Sequence, residues 1–394
     1  MSMGNAFTAV SSDLSTVYSN PAGLIIFQRP KLYLSYNTDN TKNEYDIETK
    51  NYGSYNETYV NNLDINYSNI DFFSVSVPAT FLGTKWSLAL SYYRLIPYNM
   101  DINAETLLSK SSDKSNIEKT ISTVSGNNGI DVISLSVAFS ISDYLYFGTT
   151  VQQFINTGDK KHTYSSEALD YTKEFTENIR GGSYIFGLLF IASEDVSIGF
   201  SYNTKFTETF NTSYTYTEDI ETNNTESTKE AIIKFPAAFS IGVSVRLLPE
   251  WLLSYDYKKI LWSKSTITGY HNTSSELPYP IRDDFSFTQT DISSSNIGTE
   301  LNIPLNTGVI YIRGGLSTSK QLFSDYEAEQ IKLKSYSCGL GFSFKNKFAI
   351  DLAFLYQSGK WKEKAYFQPD ASVVNTVYSN YKQKVLKVSL TYNF

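Results

Sequence analysis

The sequence has almost none of the residues on which most enzyme active sites and metal centres depend. It contains two histidines, His162 and His271, and a single cysteine, Cys338, in 394 residues. A lone cysteine cannot form an internal disulfide. Both histidines lie in polar stretches, without metal-ligand spacing, a phosphate loop or a nucleophile elbow. We therefore predict a protein that is not an enzyme and that has no metal site and no cofactor.

An excess of positive charge is also missing. The chain has 33 basic and 40 acidic residues, which gives a net charge of −7, and no cluster of Lys and Arg stands out. This balance argues against nucleic acid as a partner.

Long hydrophobic runs are absent as well. Apolar runs such as "YIFGLLFI" reach roughly eight to ten residues, well below the ~20 that a membrane helix needs. No N-terminal export signal is present, because Met1 is followed at once by small and polar residues. Either the protein is not exported, or the chain shown begins after its export signal.

What the sequence does contain is strict alternation of large and small residues. One face of each alternating stretch is large and apolar, and the other consists of Ser, Gly, Ala and polar residues. A soluble sheet would carry charged residues on its second face, whereas a barrel in a membrane has an apolar outside and a small or polar inside. The residues on the apolar faces of the five clearest stretches are Leu386, Val388, Leu390, Tyr392 and Phe394; Phe348, Ile350, Leu352, Phe354 and Tyr356; Tyr336, Cys338, Leu340, Phe342 and Phe344; Phe235, Ala237, Phe239, Ile241, Val243 and Val245; and Ile133, Leu135, Val137 and Phe139.

The connections between strands alternate in length. Long polar connections, at about 41–67, 97–128, 157–181, 208–229, 263–288, 319–330 and 359–380, alternate with short ones such as "SED" and "LPE". Outer-membrane barrels sort their connections in this way, with short turns on the periplasmic side. We predict an all-β membrane protein, a 14-stranded antiparallel transmembrane β-barrel in the bacterial outer membrane, with both termini periplasmic. Its strands are predicted at 30–40, 68–80, 85–96, 129–141, 143–156, 182–192, 195–207, 230–247, 250–262, 289–302, 307–318, 331–345, 347–358 and 381–394.

The chain ends on an aromatic residue. Phe394 follows Leu390 and Tyr392 at every second position. One interpretation is a strand that simply closes the fold. The other, which we favour, is a terminal signal that the outer-membrane assembly machinery reads.

The N-terminal stretch "MGNAFTAVSSDLSTVYSNPAGL" does not alternate and predicts short helical turns. Asp13 can cap one turn, and Asn20 before Pro21 predicts the start of another. Gly23 permits a tight turn. On spacing alone, an ordinary capped turn explains these residues equally well.

This stretch resembles the mature N-terminus of the long-chain fatty-acid transporter family of outer-membrane proteins, FadL/TodX. In that family an Asn-Pro-Ala motif lies in a small hatch that plugs the barrel, and Asn20, Pro21 and Ala22 match it. "SIGFSYNTKF" is similar to the family's Gly-x-x-Tyr strand. "KFPAAFSIGVSVRLLPEWLLSYDYKKILWSK" is similar to a Pro-…-Gly strand followed by a Trp-…-Asp-…-Trp-Ser strand. The matching residues of that pair are Pro236, Gly242, Trp251, Asp256, Trp262 and Ser263.

The resemblance implies a helical hatch at residues 1–27, shorter than the family's, inside a barrel at 28–394. It implies passive transport of hydrophobic or amphipathic, fatty-acid-like molecules, with a lateral exit through a strand kink near the hatch. Asn20, Pro21, Ala22 and Gly23 are then the gate residues. The family's ligand-binding residues in the outer loops have no recognisable counterpart here.

Alternation adds candidate residues inside the barrel. Phe72, Tyr93, Tyr146 and Tyr311 face the lumen and are either path residues or packing for the hatch. Pro78 removes a ladder donor inside a strand, so it is a candidate for the kink, or it marks the strand's lower end.

Two other functions are alternatives. A polar-solute porin would line its constriction with charges, and the small neutral inward faces argue against it. A binding scaffold associated with secretion would also fit the long polar loops. The expected partners are a hydrophobic ligand, outer-membrane lipid and the assembly machinery, with the protein itself a monomer.

Overall fold

Alternating side chains make strands the main elements of the structure. The computed structural model describes residues 1–47, 55–97, 100–110, 117–156, 159–166, 170–218, 221–268, 290–324, 330–345, 347–366 and 374–394. Within them, 20 strand segments belong to one sheet. Six strands of this sheet consist of two segments each, so the segments make fourteen strands.

The strands are numbered β1 to β14 along the chain. Their bounds are Lys31–Ile47 (β1), Tyr55–Phe81 (β2), Thr84–Pro97 with Met100–Lys110 (β3), Ile117–Asn127 with Gly129–Ser140 (β4), Leu145–Asn156 with Asp159–Ser166 (β5), Asp170–Ile191 (β6), Val196–Asn203 with Phe206–Glu218 (β7), Glu221–Phe235 with Ala238–Leu248 (β8), Trp251–Ile260 with Thr266–Thr268 (β9), Ile292–Leu305 (β10), Gly308–Ser324 (β11), Gln330–Phe344 (β12), Phe348–Tyr366 (β13) and Val374–Asn393 (β14).

The sheet closes on itself. Each strand pairs antiparallel with the next one along the chain, and β14 pairs back onto β1 from Lys31↔Asn393 to Ile47↔Val377. Closure leaves no free edge, because every strand has a neighbour on both sides. The sequence prediction of a fourteen-stranded antiparallel barrel is confirmed.

The strands extend further than the sequence predicts at one end of the barrel. Residues 41–67 and 97–128 are predicted connections, but β1 continues to Ile47, β2 begins at Tyr55, and β3 and β4 fill most of 97–128. Strands also extend into the predicted connections at 157–181, 208–229, 319–330 and 359–380, so these predictions are wrong as well. The apolar alternation ends there, but the hydrogen-bonded ladder continues through polar, Thr- and Tyr-rich stretches of high β propensity. The connections at the opposite end are short, at most four residues.

The two faces of the barrel follow the predicted alternation. Leu340, Leu352 and Leu386 are about half exposed on the outside, whereas Ser136 and Ser134 are buried on the inside. Phe394 is exposed, its backbone N–H donates to the Pro30 carbonyl, and its ring packs edge-on against Tyr392. The outside therefore presents a continuous apolar belt.

Helical structure in the described residues is confined to short turns. They are an α-helix at Thr16–Ser19 and 3-10 helices at Pro21–Ile26 and Trp262–Lys264. None of the described helices is long and apolar enough to cross a membrane.

Residues 1–27, here called the N-terminal segment, lie against the inward-facing residues of the wall. Met3, Leu14, Val17 and Leu24 are fully buried, although none of them belongs to a strand. The segment joins the main buried apolar cluster, together with inward residues of β1 to β6. The N-terminal segment is therefore packed inside the barrel against the wall.

Candidate functional site

Asn20 fastens the N-terminal segment in two directions. Its side-chain Oδ1 accepts from the Ala22 N–H at 3.2 Å, which caps the 3-10 turn that begins at Pro21. Its Nδ2 donates to the carbonyl of Thr8 at 2.7 Å and to the carbonyl of Leu188, on β6, at 2.9 Å. The cap agrees with the sequence prediction, whereas the bond to β6 could not be predicted from local sequence.

The other residues of the predicted gate, Pro21, Ala22 and Gly23, are also buried. Ala22 is fully buried. A Cβ at Gly23 would lie 1.8 Å from Ser11 Oγ, so glycine is required by close approach. Its φ is not in the left-handed region. Asp13 accepts from the Ser15 N–H at 2.8 Å and so supports the turn before Thr16–Ser19.

Glycines on the inner wall form the seat of the N-terminal segment. Three pairs face each other in register on neighbouring strands: Gly148 and Gly187, Gly199 and Gly242, and Gly298 and Gly315. A Cβ at any of these positions would come within 3 Å of the segment. With Gly339, they extend from β5 to β12, and we call them the glycine seat. The sequence shows the small inward faces but not what they accommodate.

Asp256 holds the segment on the side of β9. Its Oδ2 accepts from the Thr8 backbone N–H at 2.7 Å and from the Thr8 hydroxyl at 2.8 Å. The neighbouring Ser254 donates to the carbonyl of Ala6 at 3.1 Å. These contacts give a structural role to a residue that the sequence singles out only as part of the matching strand pattern.

Two of the predicted path residues, Phe72 and Tyr93, lie in an aromatic cluster that includes Tyr18 of the N-terminal segment. The cluster consists of Tyr18, Tyr33, Phe72 and Tyr93. Phe72 lies 5.7 Å from Tyr18, 5.5 Å from Tyr33 and 5.8 Å from Tyr93, measured between ring centroids.

The other two predicted path residues lie apart from this cluster. Tyr146 is buried on β5, and its hydroxyl donates to the carbonyl of Asp143 at 2.6 Å, next to a short turn. Tyr311 lines an internal cavity together with Tyr18 and Tyr33. The four residues are therefore all inward, as alternation predicts, but do not form one line.

The cavity has a volume of about 350 Å³ and is strongly polar. Arg313 lies between two carboxylates in it, with Nε 2.6 Å from Glu300 Oε2 and a terminal nitrogen 2.5 Å from Asp351 Oδ1. Lys387 also lines it and donates to Asp71 at 2.6 Å. The expectation of small neutral inward faces is wrong on this side, because single charged residues interrupt the runs of Ser and Gly on β10, β11, β13 and β14. We call this space the polar cavity.

Pro78 lies on β2 beyond the last pair with β1, at Lys31↔Ser76, and pairs in register with Ser87 of β3. In the described pairing it therefore has a partner on the β3 side only, close to the end of β2 at Phe81. Both interpretations of Pro78, the strand kink and the lower end of the strand, stay predictions. The irregularity of β2 is at Asp71, which the pairing with β1 skips, and there Ser35 donates to the Asp71 carboxylate at 2.6 Å.

Of the two histidines, His162 is the one within the part of the chain that the structure describes. His162 lies in β5, opposite Val124 of β4, where the sequence predicts a loop. His271 lies outside the described residues. Among the described residues, no group of His, Cys, Asp and Glu is arranged to hold a metal ion.

Comparison with known proteins identifies the family. Residues 1–288 match the family model "Outer membrane protein transport protein (OMPP1/FadL/TodX)". No curated protein matches the chain. A FadL homologue from Pseudomonas aeruginosa superposes with a TM-score of 0.66 at 13% identity, and the match covers 100% of this chain and 96% of the homologue.

Two further solved structures share the fold. The toluene transporter TodX of Pseudomonas putida gives a TM-score of 0.63 at 13% identity, and the match covers 100% of this chain and 96% of TodX. The monoaromatic hydrocarbon channel CymD gives 0.60 at 15% identity, with 100% and 96% covered. Since the family model spans well over half of the sequence, the chain belongs to the OMPP1/FadL/TodX family of outer-membrane transport proteins.

Proposed function

We propose that the protein carries amphipathic molecules with an apolar chain and an anionic head, such as fatty acids, passively across the outer membrane. The observation that carries this proposal is that the aromatic cluster and the polar cavity share Tyr18 and Tyr33. A ligand at this junction would have an apolar surface on one side and charged groups on the other.

The two halves of the junction suit the two halves of such a ligand. Each methylene removed from water contributes about 0.8 kcal/mol. The head would lie near the cations of the polar cavity, Lys31, Arg313 and Lys387. TodX is a toluene transporter and CymD a monoaromatic hydrocarbon channel. For this chain, the charged lining of the polar cavity favours a ligand with a polar head, because a pure hydrocarbon would make no favourable contact with charged side chains.

The N-terminal segment acts as the gate in this proposal. It is held by the glycine seat, by Asn20 and by Asp256, and it lines part of the polar cavity and contributes Tyr18 to the aromatic cluster. A ligand that binds better when the segment is displaced would shift the segment toward the open state. Transport is driven by diffusion of the ligand down its concentration gradient.

The ligand leaves in one of two directions. The unbroken pairing of β2 with β3 through Pro78 supports an exit past the displaced segment toward the short turns. A lateral exit is the alternative, and the skipped residue Asp71 on β2 is then the place for it. In both cases the short turns and both termini face the periplasm, and the protein works as a monomer.

Binding of a homologous series of saturated fatty acids to the purified protein tests the proposal. Affinity should rise about fourfold per added methylene until the site is full. Phe72→Ala should lower it, whereas Phe73→Ala should not, because Phe73 faces outward on the same strand. Alkanols of the same chain lengths should bind more weakly, since they lack the anionic head.

A reversible lock tests the gate separately. A Cβ at Gly242 would lie 2.9 Å from Thr8 Cβ, within about 1 Å of the distance that a disulfide spans, but also 2.1 Å from Asp256 Oδ1. The Asp256 side chain is therefore removed as well. In a Cys338→Ser/Asp256→Ala background, oxidised Thr8→Cys/Gly242→Cys should stop fatty-acid uptake, and reduction should restore it. Uptake that is the same in both states would refute the gate. Binding without any dependence on chain length would favour the secretion-associated scaffold.

A polar-solute porin remains the second candidate, because the polar cavity is lined by charged groups. Planar-bilayer conductance decides between the two. A porin should conduct ions steadily without ligand, whereas a closed N-terminal segment should keep conductance low.

A further inference from the structure

A row of lysines lies on the outer surface of five neighbouring strands. On β11, β12, β13, β14 and β1, the outward-facing residues have even numbers, as Ile312, Leu340, Leu352, Leu386 and Tyr36 show. The same face continues beyond the apolar belt, away from the short turns, and becomes basic. The lysines on it are Lys42, Lys320, Lys332, Lys334, Lys360, Lys382 and Lys384, here called the lysine patch.

Strand register brings these residues together. Lys320 of β11 is the direct partner of Lys332 of β12, and Lys382 of β14 is the direct partner of Lys42 of β1. Between them, Lys334 and Lys382 both lie opposite Ser358 of β13. Since neighbouring strands are about 4.8 Å apart, the patch is roughly 20 Å wide. The sequence does not show this cluster, because its members lie on five separate strands.

The patch concentrates positive charge in an acidic protein. On β11 to β14, none of the described side chains of this face is Asp or Glu, although the whole chain has a net charge of −7. On the β1 side, Lys42 is the register partner of Asp64 of β2. Like charges placed directly opposite each other, as at Lys320 and Lys332, destabilise a sheet. A bound anion would remove that repulsion, so the arrangement calls for a negatively charged partner.

The position of the patch identifies the kind of anion. Tyr336 and Tyr356 face outward one step below Lys334 and Ser358, and outward aromatic residues mark the edge of the membrane. The lysines are thus level with lipid headgroups on the side of the long connections. A soluble acidic protein would have to approach through those headgroups.

We propose that the lysine patch binds the phosphate groups of a phosphorylated lipid in the leaflet on this side of the membrane. The long lysine side chains would reach the phosphates while their stems cover the top of the apolar belt. Each lysine near an anionic membrane surface contributes measurably to such binding.

The test compares lipid binding by two variants that lose the same charge. The patch variant changes Lys320, Lys332, Lys334 and Lys384 to Gln. The control variant changes Lys85, Lys205, Lys264 and Lys347 to Gln, which are exposed lysines outside the patch. Binding of purified lipid A to each protein in detergent is measured by native mass spectrometry, with enzymatically dephosphorylated lipid A beside it.

The patch variant should bind lipid A at least about tenfold more weakly than the wild type, and the control variant should bind it normally. The wild type should also lose affinity for dephosphorylated lipid A, a result that does not depend on any variant folding. Equal losses in both variants would show an effect of net charge alone and overturn the proposal. So would unchanged lipid binding combined with loss of an acidic soluble protein that copurifies with the wild type.

Discussion

Thr8 and Asp256 are joined by two hydrogen bonds that end on one oxygen atom. The backbone N–H and the hydroxyl of Thr8 both donate to Asp256 Oδ2, at 2.7 and 2.8 Å. Both residues are buried. Hydrogen bonds to a charged group are stronger than neutral ones, so this contact is a principal attachment of the N-terminal segment to the wall.

Asp256→Ala should therefore loosen the segment without opening the barrel. Each lost bond to a carboxylate is worth about 1.5–3 kcal/mol. Amide hydrogen exchange should rise across residues 1–27 and stay low in β9. Ser254→Ala, which removes one neutral bond to Ala6, is the matched control and should have a smaller effect. Equal exchange in the two variants would mean that Asp256 is not a principal attachment.

Adjacent glycines on β11 should respond in opposite ways to alanine. A Cβ at Gly315 would lie 1.9 Å from the Gly4 backbone nitrogen, whereas one at Gly314 would lie 3.6 Å from its nearest neighbour, Thr299 Cγ2. Gly315→Ala should displace the segment and raise its sensitivity to protease. Gly314→Ala should leave it unchanged. Similar protease patterns for both would refute the glycine seat.

A charge in the apolar belt should destabilise the barrel. Leu340 is outward on β12 and 57% exposed. Leu340→Lys should lower the free energy of unfolding by roughly 2–4 kcal/mol, because the ammonium group would lie in the hydrocarbon of the membrane. Urea unfolding in lipid vesicles measures this, with Leu340→Ala as the control for lost side-chain volume. A cost no larger than that of alanine would place this face outside the membrane core.

The aromatic residues at the end of β14 should matter for assembly. Phe394→Ser combined with Tyr392→Ser should lower the amount of heat-modifiable barrel in the outer membrane. Thr391→Ser with Asn393→Ser changes the alternate positions of the same strand and should not. Unchanged amounts of folded protein in the first variant would leave Phe394 as an ordinary end of a strand.

The sequence predicts the barrel well because alternation and connection length are local signals. Each of the fourteen predicted strands overlaps a strand of the structure. The sequence does not predict the polar outer parts of β1 to β4, because a polar strand can be told from a loop only by its pairing with a distant part of the chain. The cap at Asn20 depends only on residues within two positions of it, so the sequence predicts it, and the structure contains it.

The site is harder to predict than the wall. The bond from Asn20 to Leu188, the seat at Gly199 and the hold of Asp256 on Thr8 join residues more than 150 positions apart, and no local pattern encodes them. The ion pairs of Arg313 with Glu300 and Asp351 are not predicted either, because the three residues lie on separate strands and alternation does not show which inward charges meet. For Pro78 the sequence predicts either a kink or the end of a strand, and its register with Ser87 of β3 is compatible with both.

The glycine seat also sets the order in which the molecule can be completed. Its members come from β5 to β12, so the surface does not exist until those strands have paired. Residues 1–27 precede every strand in the chain and are made first, yet they have nowhere to dock until the wall is nearly finished. Their burial is therefore a late step of folding. An assembly intermediate that stalls before this step would not have the N-terminal segment packed inside the barrel. Such an intermediate would be a membrane-inserted cylinder with an open lumen, and leakage through it would report on the final folding step.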